Sequence, residues 1–362
     1  MSARPRVCVL HVGGTIGMVA HADGYRPQPG FLEQYMAQMP ELRRREMPAH
    51  HLEVLEPLLD SSDIAPDDWL RIAAAIAARY DDFDGFVVVH GTDTMAYSAS
   101  ALSFLLPGLA KPVILTGSQL SLSDVRSDGR EHLITAILLA GSLDLPEVAI
   151  YFGARLIRGN RAQKIHNQEF FAFNSGNLAP LARIGASIRV SHHLLRPRPE
   201  GPLRPLELVR RPRVASLRVF PGIDGAMLRR LIEPLDGLVL ETYGNGNAPS
   251  RDASLHEALG EAIAPPRELI VVNCSQCHGG RVDQSRYGTG TALARVGVLS
   301  GFDMTPEAAL TKLYCLLGAG LPLPTVRAKL QENLAGELIA DPSRRPRPTD
   351  PAAPNPLADH AP

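Results

Sequence analysis

Residues Val7–Met18, "VCVLHVGGTIGM", join an apolar, β-branched run to two glycines with a threonine directly behind them. A run of this kind, continuously apolar rather than alternating, suits a strand buried on both faces of a sheet. Gly13 and Gly14 allow positive φ and close backbone approach at its end. Three further runs repeat the pattern: 85–90 ("GFVVVH"), 112–117 ("PVILTG") and 147–152 ("EVAIYF"). Helical patterns lie between them at 66–80, 94–106 and 128–141. Strand alternating with helix predicts a doubly wound, parallel α/β sheet.

A second series follows, with strands expected at 214–219, 236–242 and 268–274 and a helix at 306–317. Thr305 suits that helix's N-cap, Pro306 its first position, Glu307 its first turn, and Gly318 its end. The chain is therefore expected to hold two α/β domains, a larger one at 1–195 and a smaller parallel-sheet one at 214–340. Between them, 196–213 ("RPRPEGPLRPLELVRRPR") is rich in Pro and Arg and reads as a linker. Residues 341–362 are Pro-rich, lack an apolar face and are expected to be disordered.

Bulk properties narrow the function. The 362 residues carry 37 basic and 38 acidic side chains, a net charge of −1, so neither nucleic acid nor an acidic membrane is the expected partner. The linker arginines have no interleaved aromatics for base stacking. No apolar run reaches the roughly 18 residues of a membrane span, and the first residues do not read as a secretory signal. These features read as cytoplasmic, with Cys8, Cys274, Cys277 and Cys315 reduced.

In open α/β sheets, ligands sit outside the carboxyl ends of the strands. Small, hydroxyl-rich turns follow three of these strands: "GGTIG" with Thr15, "HGTDT" with Thr92 and Asp93, and "GSQ" with Ser118. Singly, each is an ordinary turn; three on one edge point to a site. Lysine is rare in this Arg-rich chain, occurring at 111, 164, 312 and 329. Lys164, in "GNRAQKIHN", reads as a solvated surface residue unless the fold carries it to that edge. There it could serve as a base, since burial lowers a lysine pKa. A hydroxyl nucleophile needs such a base and an oxyanion stabiliser. Tyr25, in the Gly- and Pro-containing stretch "MVAHADGYRPQPG", suits a mobile lid or an ordinary surface loop.

Together these stretches resemble the bacterial-type L-asparaginase family. "GGTIG", "LLDSSDIAPDDW" (58–69), "VVVHGTDTMAYSA" (87–99), "LTGSQ" (115–119), "RGNRAQKIHN" (158–167), "YGNGNAP" (243–249) and "GFDMTPEAALTKL" (301–313) carry the likeness over about residues 6–340. The flavour is that of the cytosolic type I branch, including the asparaginase domain of mammalian cytosolic enzymes. The resemblance implies a hydrolase that turns L-asparagine into aspartate and ammonia, without metal or organic cofactor. It implies Thr15 as nucleophile, Tyr25 as its lid partner, and Thr92, Asp93 and Lys164 as a second catalytic set. Gly14, Ser61, Ser62, Thr92, Asp93 and Ser118 would line the substrate. Asn247 would reach the site of a neighbouring subunit in a homotetramer built from intimate dimers. Glu241 stands where some cytosolic members carry an arginine tied to allosteric activation, and "GGRVDQSRYG" lacks the glutamate that secreted members contribute from the C-terminal domain. Two other functions share these residues: the amidase subunit of a tRNA-dependent amidotransferase, and an amino-acid sensor without turnover. "CSQCH", 274–278, also matches the C-x-x-C-H of haem attachment and could form a redox or metal pair, against a packing role at a strand end.

Overall fold

A computed structural model describes residues 4–340 apart from Asp23, Asp252 and Tyr287. The Pro-rich end at 341–362 lies outside the described residues. In chain order the first half contains β1 (Arg6–Gly13), a hairpin of β2 (Met18–His21) and β3 (Gly24–Pro27), α1 (Phe31–Gln38), β4 (Ala49–Leu59), α2 (Pro66–Ala78), β5 (Gly85–Val89), α3 (Met95–Leu105), β6 (Val113–Thr116), α4 (Gly129–Ser142), β7 (Val148–Phe152) and β8 (Arg155–Arg158). Short strands β9 (Gln163–Lys164), β10 (Phe173–Asn174), β11 (Ala182–Ile184) and β12 (Ile188–Val190) complete it.

Eight of these strands form one sheet in the order β12-β11-β8-β7-β6-β5-β1-β4. From β4 to β7 all pairings are parallel; β7-β8, β8-β11 and β11-β12 are antiparallel. The sheet is thus mixed where the sequence predicted a parallel one. Tight turns too short for a crossover helix cause the difference: only Gly153 and Ala154 separate β7 from β8, both at positive φ. The parallel part is wound on both faces. Cys8, Leu10 and Val12 of β1 join the core beneath α2 and α3, whereas Val7 and Val9 join the core beneath α1 and α4.

The second half builds a four-stranded parallel sheet, β13 (Val214–Arg218), β14 (Gly237–Thr242), β15 (Ile270–Ser275) and β16 (Leu299–Ser300) in that order. Helices α5 (Gly225–Ile232) and α6 (Ser254–Ile263) cover one face, with α7 (Gly288–Arg295) contributing Leu293. Helices α8 (Pro306–Gly318) and α9 (Leu323–Gln331) cover the other. The expected start of α8 is present: the Thr305 side chain accepts from Ala308 N at 3.1 Å, with Pro306 behind it.

Helix α8 seals the two halves together. Its Leu313, Leu316 and Leu317 pack under the second sheet, while Tyr314 and Cys315 join the core of the first. Trp69 of α2 meets Tyr314 edge-on at 6.0 Å between centroids. The segment 196–213 does not hang free. Arg204 N donates to Pro107 O, Leu206 N to Leu105 O and Val209 N to Gly318 O, each within 2.9 Å. These carbonyls lie at and just beyond the ends of α3 and α8, where helix geometry leaves them without intrahelical partners. Among the described residues no helix is long and apolar enough to cross a membrane.

Candidate active site

The glycines of the opening stretch are fitted to other backbones. A β-carbon on Gly13 would lie 2.0 Å from Leu59 O, and one on Gly14 would lie 2.3 Å from Gly91 N. Gly91 is packed in turn against the Ser61 hydroxyl, and Gly117 against His90 O, at 2.5 and 2.2 Å by the same measure. Gly13 and Gly14 also take φ of 136° and 91°, where a side chain is strained. The ends of β4, β1, β5 and β6 thereby nest side by side. Thr15 and Thr92 each follow one member of the Gly14–Gly91 contact, so the topology delivers both hydroxyls to one place.

Thr15 opens a single 3-10 turn, Thr15–Gly17, and is half-buried. The second set assembles directly. Lys164 Nζ donates to Thr92 Oγ1 at 2.8 Å and to Asp93 Oδ1 at 2.6 Å. The Lys164 side chain is only 18% exposed, which disposes of the solvated-surface reading, whereas Asp93 at 62% presents its carboxylate outward. Ser61 is buried, and its hydroxyl accepts from Asp93 N at 3.3 Å while its carbonyl accepts from Thr94 Oγ1 at 2.7 Å. Ser61 therefore holds the turn that carries Thr92 and Asp93. Ser62 is exposed and bonded to Asp60 through both N and Oγ.

The remaining candidates behave differently. Ser118 is buried and donates its hydroxyl to Leu120 O, a bond that shapes its own turn. Tyr25 lies on β3, 46% exposed, and its hydroxyl donates to Asp124 Oδ1 at 2.9 Å rather than to Thr15. That bond raises the phenol's pKa. The stretch read as a lid loop is in fact the β2-β3 hairpin, with Tyr25 paired across to Ala20. Asn247 sits in the second half, where Oδ1 accepts from Thr289 Oγ1 at 2.7 Å. The fold does not join it to the Thr92–Lys164 cluster of its own chain.

Gln163, Asn160 and Arg161, beside the cluster, escaped the sequence reading. Gln163, next to Lys164, is held from both sides: Oε1 pairs with His278 Nδ1 at 2.9 Å, and Nε2 donates to Glu307 Oε2 at 3.3 Å. Further back, Asn160 donates to Ala335 O and Arg161 Nε to Gly336 O, while Arg161 Nη1 meets Asp303 Oδ2 at 3.1 Å. The strand bearing Lys164 is thus strapped to the second half. Glu307, in the first turn of α8, does more than suit that position. Burial pushes its carboxyl up to about 7, with the Glu241 charge adding to the effect. No sequence rule reveals this, because the burial arises between the two halves.

Glu307 has a thermodynamic consequence. Its pKa of about 7 in the folded chain exceeds the ordinary 4.5. Between those values the folded state binds more protons than the unfolded state, so stability falls as pH rises through the window. Glu307→Gln is expected to remove this decline. Urea unfolding should place the variant about 1–3 kcal/mol ahead of wild type on going from the acid to the alkaline side. Parallel pH profiles for the two proteins would refute it.

The C-x-x-C-H motif divides in two. Cys274 is buried on β15, and burial raises its thiol pKa; Cys277 is exposed, and both are free. His278 is engaged with Gln163. Among the described residues no group of three His, Cys, Asp or Glu side chains could hold a metal ion.

Comparison with known proteins identifies the family. Family models described as "Asparaginase, N-terminal" and "Glutaminase/Asparaginase C-terminal domain" match residues 6–196 and 213–330. The chain belongs to the asparaginase family. It is 46% identical to L-asparaginase 1 of Escherichia coli over 92% of its length and 98% of that protein. It is 40% identical to the 60 kDa lysophospholipase of Mus musculus over 93% of its own length but 63% of the mouse protein. Among solved structures, L-asparaginase I of Vibrio cholerae superposes with a TM-score of 0.85 at 43% identity, covering 93% of this chain and all of that one. In this asparaginase the two halves matched by the family models are those joined by α8.

Proposed function

We propose that this asparaginase hydrolyses L-asparagine to L-aspartate and ammonia through an acyl-enzyme on Thr15, and that it is a cytoplasmic enzyme. The observation that carries the reading is the Lys164–Thr92–Asp93 cluster set beside the Gly14–Gly91 contact that also fixes Thr15. Binding alone calls for neither a nucleophile nor a base, which counts against the sensor, and the greater likeness to an L-asparaginase (46% identity) than to an amidotransferase subunit (33%) counts against the amidotransferase reading.

Thr15 Oγ attacks the side-chain amide carbon of the substrate. The new C–O bond places charge on the amide oxygen, and backbone N–H groups of the glycine turns stabilise it. The C–N bond then breaks, and ammonia leaves with the proton lost by Thr15. Lys164 and Thr92, already hydrogen-bonded, supply the path for that proton. Water repeats the attack on the ester and releases aspartate. Asp93 accepts the substrate ammonium, with Ser61, Ser62 and the Gly14 backbone around its α-carbon. Tyr25 closes on Thr15 by exchanging its bond to Asp124. No metal or organic cofactor takes part.

The reading extends to assembly. Asn247 lies apart from its own chain's cluster, which suits a homotetramer of intimate dimers in which it serves the neighbour's site. The domains would divide at 1–195 and 214–340, with 196–213 as the docked connection. The test is ammonia release from L-asparagine by the purified chain, with L-glutamine in parallel and substrate varied over several decades. Saturable release supports the reading. A folded chain that binds asparagine and releases no ammonia overturns it in favour of a sensor.

A further inference from the structure

A cavity of about 720 Å³ lies far from the glycine turns, between the docked segment and the ends of α3 and α8. Phe104 and Leu106 from the end of α3, Cys315 and Leu316 from α8, and Val148 and Leu334 line it. Residues 196–200 of the docked segment also line it. Helix α3 separates this cavity from the catalytic cluster: Thr92 and Asp93 precede its first turn, and Phe104 sits in its last. Eleven helical residues span about 16 Å.

The lining is apolar apart from a small set of charges, the composition of a small-molecule site. Four cations and two carboxylates are present: Arg196, Arg198, Lys312 and Lys329 against Glu147 and Glu200. Most are already neutralised. Lys312 is fully buried and paired with Glu337 at 2.6 Å. Glu147 is paired with Arg158, and Arg198 with Asp144. Glu200 is exposed to solvent. Arg196 and Lys329 have no ion-pair partner among the described residues, and Arg196 is the one in the docked segment. Its guanidinium is half-buried, its described hydrogen bond runs from Nη2 to Leu334 O at 3.0 Å, and no described carboxylate lies within ion-pair distance. Glu147 and Glu337 act on it only at a distance, Glu147 being bonded to the Arg196 backbone N and to Arg158. A partly desolvated guanidinium with no carboxylate in direct contact, at the edge of an apolar chamber, can meet a carboxylate attached to an apolar body.

We propose that this cavity binds a single-tailed amphipathic carboxylate, its head on Arg196 and its tail between α3 and α8. Arg196 supplies two or more donors in a planar fork that matches a carboxylate, and Lys329 adds a second positive charge to the lining. The tail would displace water from the Phe104, Leu316 and Leu334 surfaces. Alignment with the asparagine site is not required, and the two ligands would bind independently.

Calorimetric titration of the full chain near neutral pH tests the assignment, using dodecanoate, octanoate and dodecyltrimethylammonium as probes. One dodecanoate should bind per chain, with affinity falling roughly fourfold per methylene removed toward octanoate. The cationic amphiphile should bind at least about tenfold more weakly. Arg196→Gln should weaken dodecanoate by at least about tenfold, the scale of one charge-assisted hydrogen bond. Ala319→Trp, which fills the chamber from the end of α8, should abolish binding. Both substitutions lie outside the catalytic cluster, so asparagine turnover confirms that each variant is folded. Absent dodecanoate binding, equal binding of the cationic probe, or unchanged affinity in Arg196→Gln would each overturn the proposal. The last two outcomes remain decisive if Ala319→Trp does not fold.

Discussion

Thr15→Ala is expected to lower ammonia release from L-asparagine by on the order of 10^4 or more, with substrate binding largely kept. The argument rests on what the substitution removes and what it leaves. Thr15 stands behind Gly13 and Gly14, whose close contacts with Leu59 and Gly91 do not involve its side chain. The nest of strand ends therefore survives in the variant. Asp93, Ser61 and Lys164 are held by bonds to one another and to Thr92 and Thr94, and none of these passes through Thr15. Loss of the hydroxyl thus removes bond formation and little else. Calorimetry with L-asparagine on the variant, beside a coupled ammonia assay, separates the two effects. Turnover within tenfold of wild type would remove Thr15 from the nucleophile's role. Turnover and binding lost together would mean that the hydroxyl organises the pocket.

The second large effect concerns stability. Arg161 and Asp303 are each 2% exposed, and their side chains meet at 3.1 Å. Burial pushes the arginine pKa down, and the Asp303 charge opposes that shift. Asp303→Ala would leave a guanidinium in the interior with only carbonyl partners, Gly336 O and the backbone oxygen of residue 303 itself. It would also free Ile339 N, which Asp303 Oδ1 holds at 2.7 Å. Breaking a buried pair on one side costs about 3–5 kcal/mol, a large part of a domain's stability. Urea unfolding measures it directly. A loss below about 1 kcal/mol would show that water reaches this seam. The same variant should lower kcat in protein that remains folded, because Arg161 lies three residues before Lys164 on the strap.

How much of this was legible depended on where each signal originates. Strands β1, β5, β6 and β7 were readable because burial on both faces demands uninterrupted apolar residues. Strand β4 was not, although it pairs with β1 over most of its length. It is an edge strand, half-exposed along "AHHLEVLEPLL", and Pro57 interrupts its pattern. Helix α8 was announced by Thr305 and Pro306; α5 has an equal signal in Asp224, which accepts from Met227 N at 2.8 Å, but it went unread, and α6 has no side-chain cap. Thr15, Thr92 and Asp93 could be placed because strand ends locate sites in α/β sheets. Lys164 could not be placed by that rule: it arrives on a two-residue strand after an antiparallel turn. Its proximity to Thr92 rested on the family resemblance until the fold was seen. Gln163, Glu307 and Arg161 draw their roles from contacts between the halves, which no local pattern encodes. Ser118 stands at the strand end that the same rule points to, and its hydroxyl bonds Leu120 O within its own turn.

The nest of Gly13, Gly14, Gly91 and Gly117 has a consequence for how this chain could change over generations. Each glycine gives way to a backbone atom or hydroxyl belonging to a different strand end, so a side chain gained at one position displaces a neighbour instead of filling a void. Compensation would have to occur in main chain, which substitution cannot shorten. These four positions are therefore closed to drift although none carries a reacting side chain.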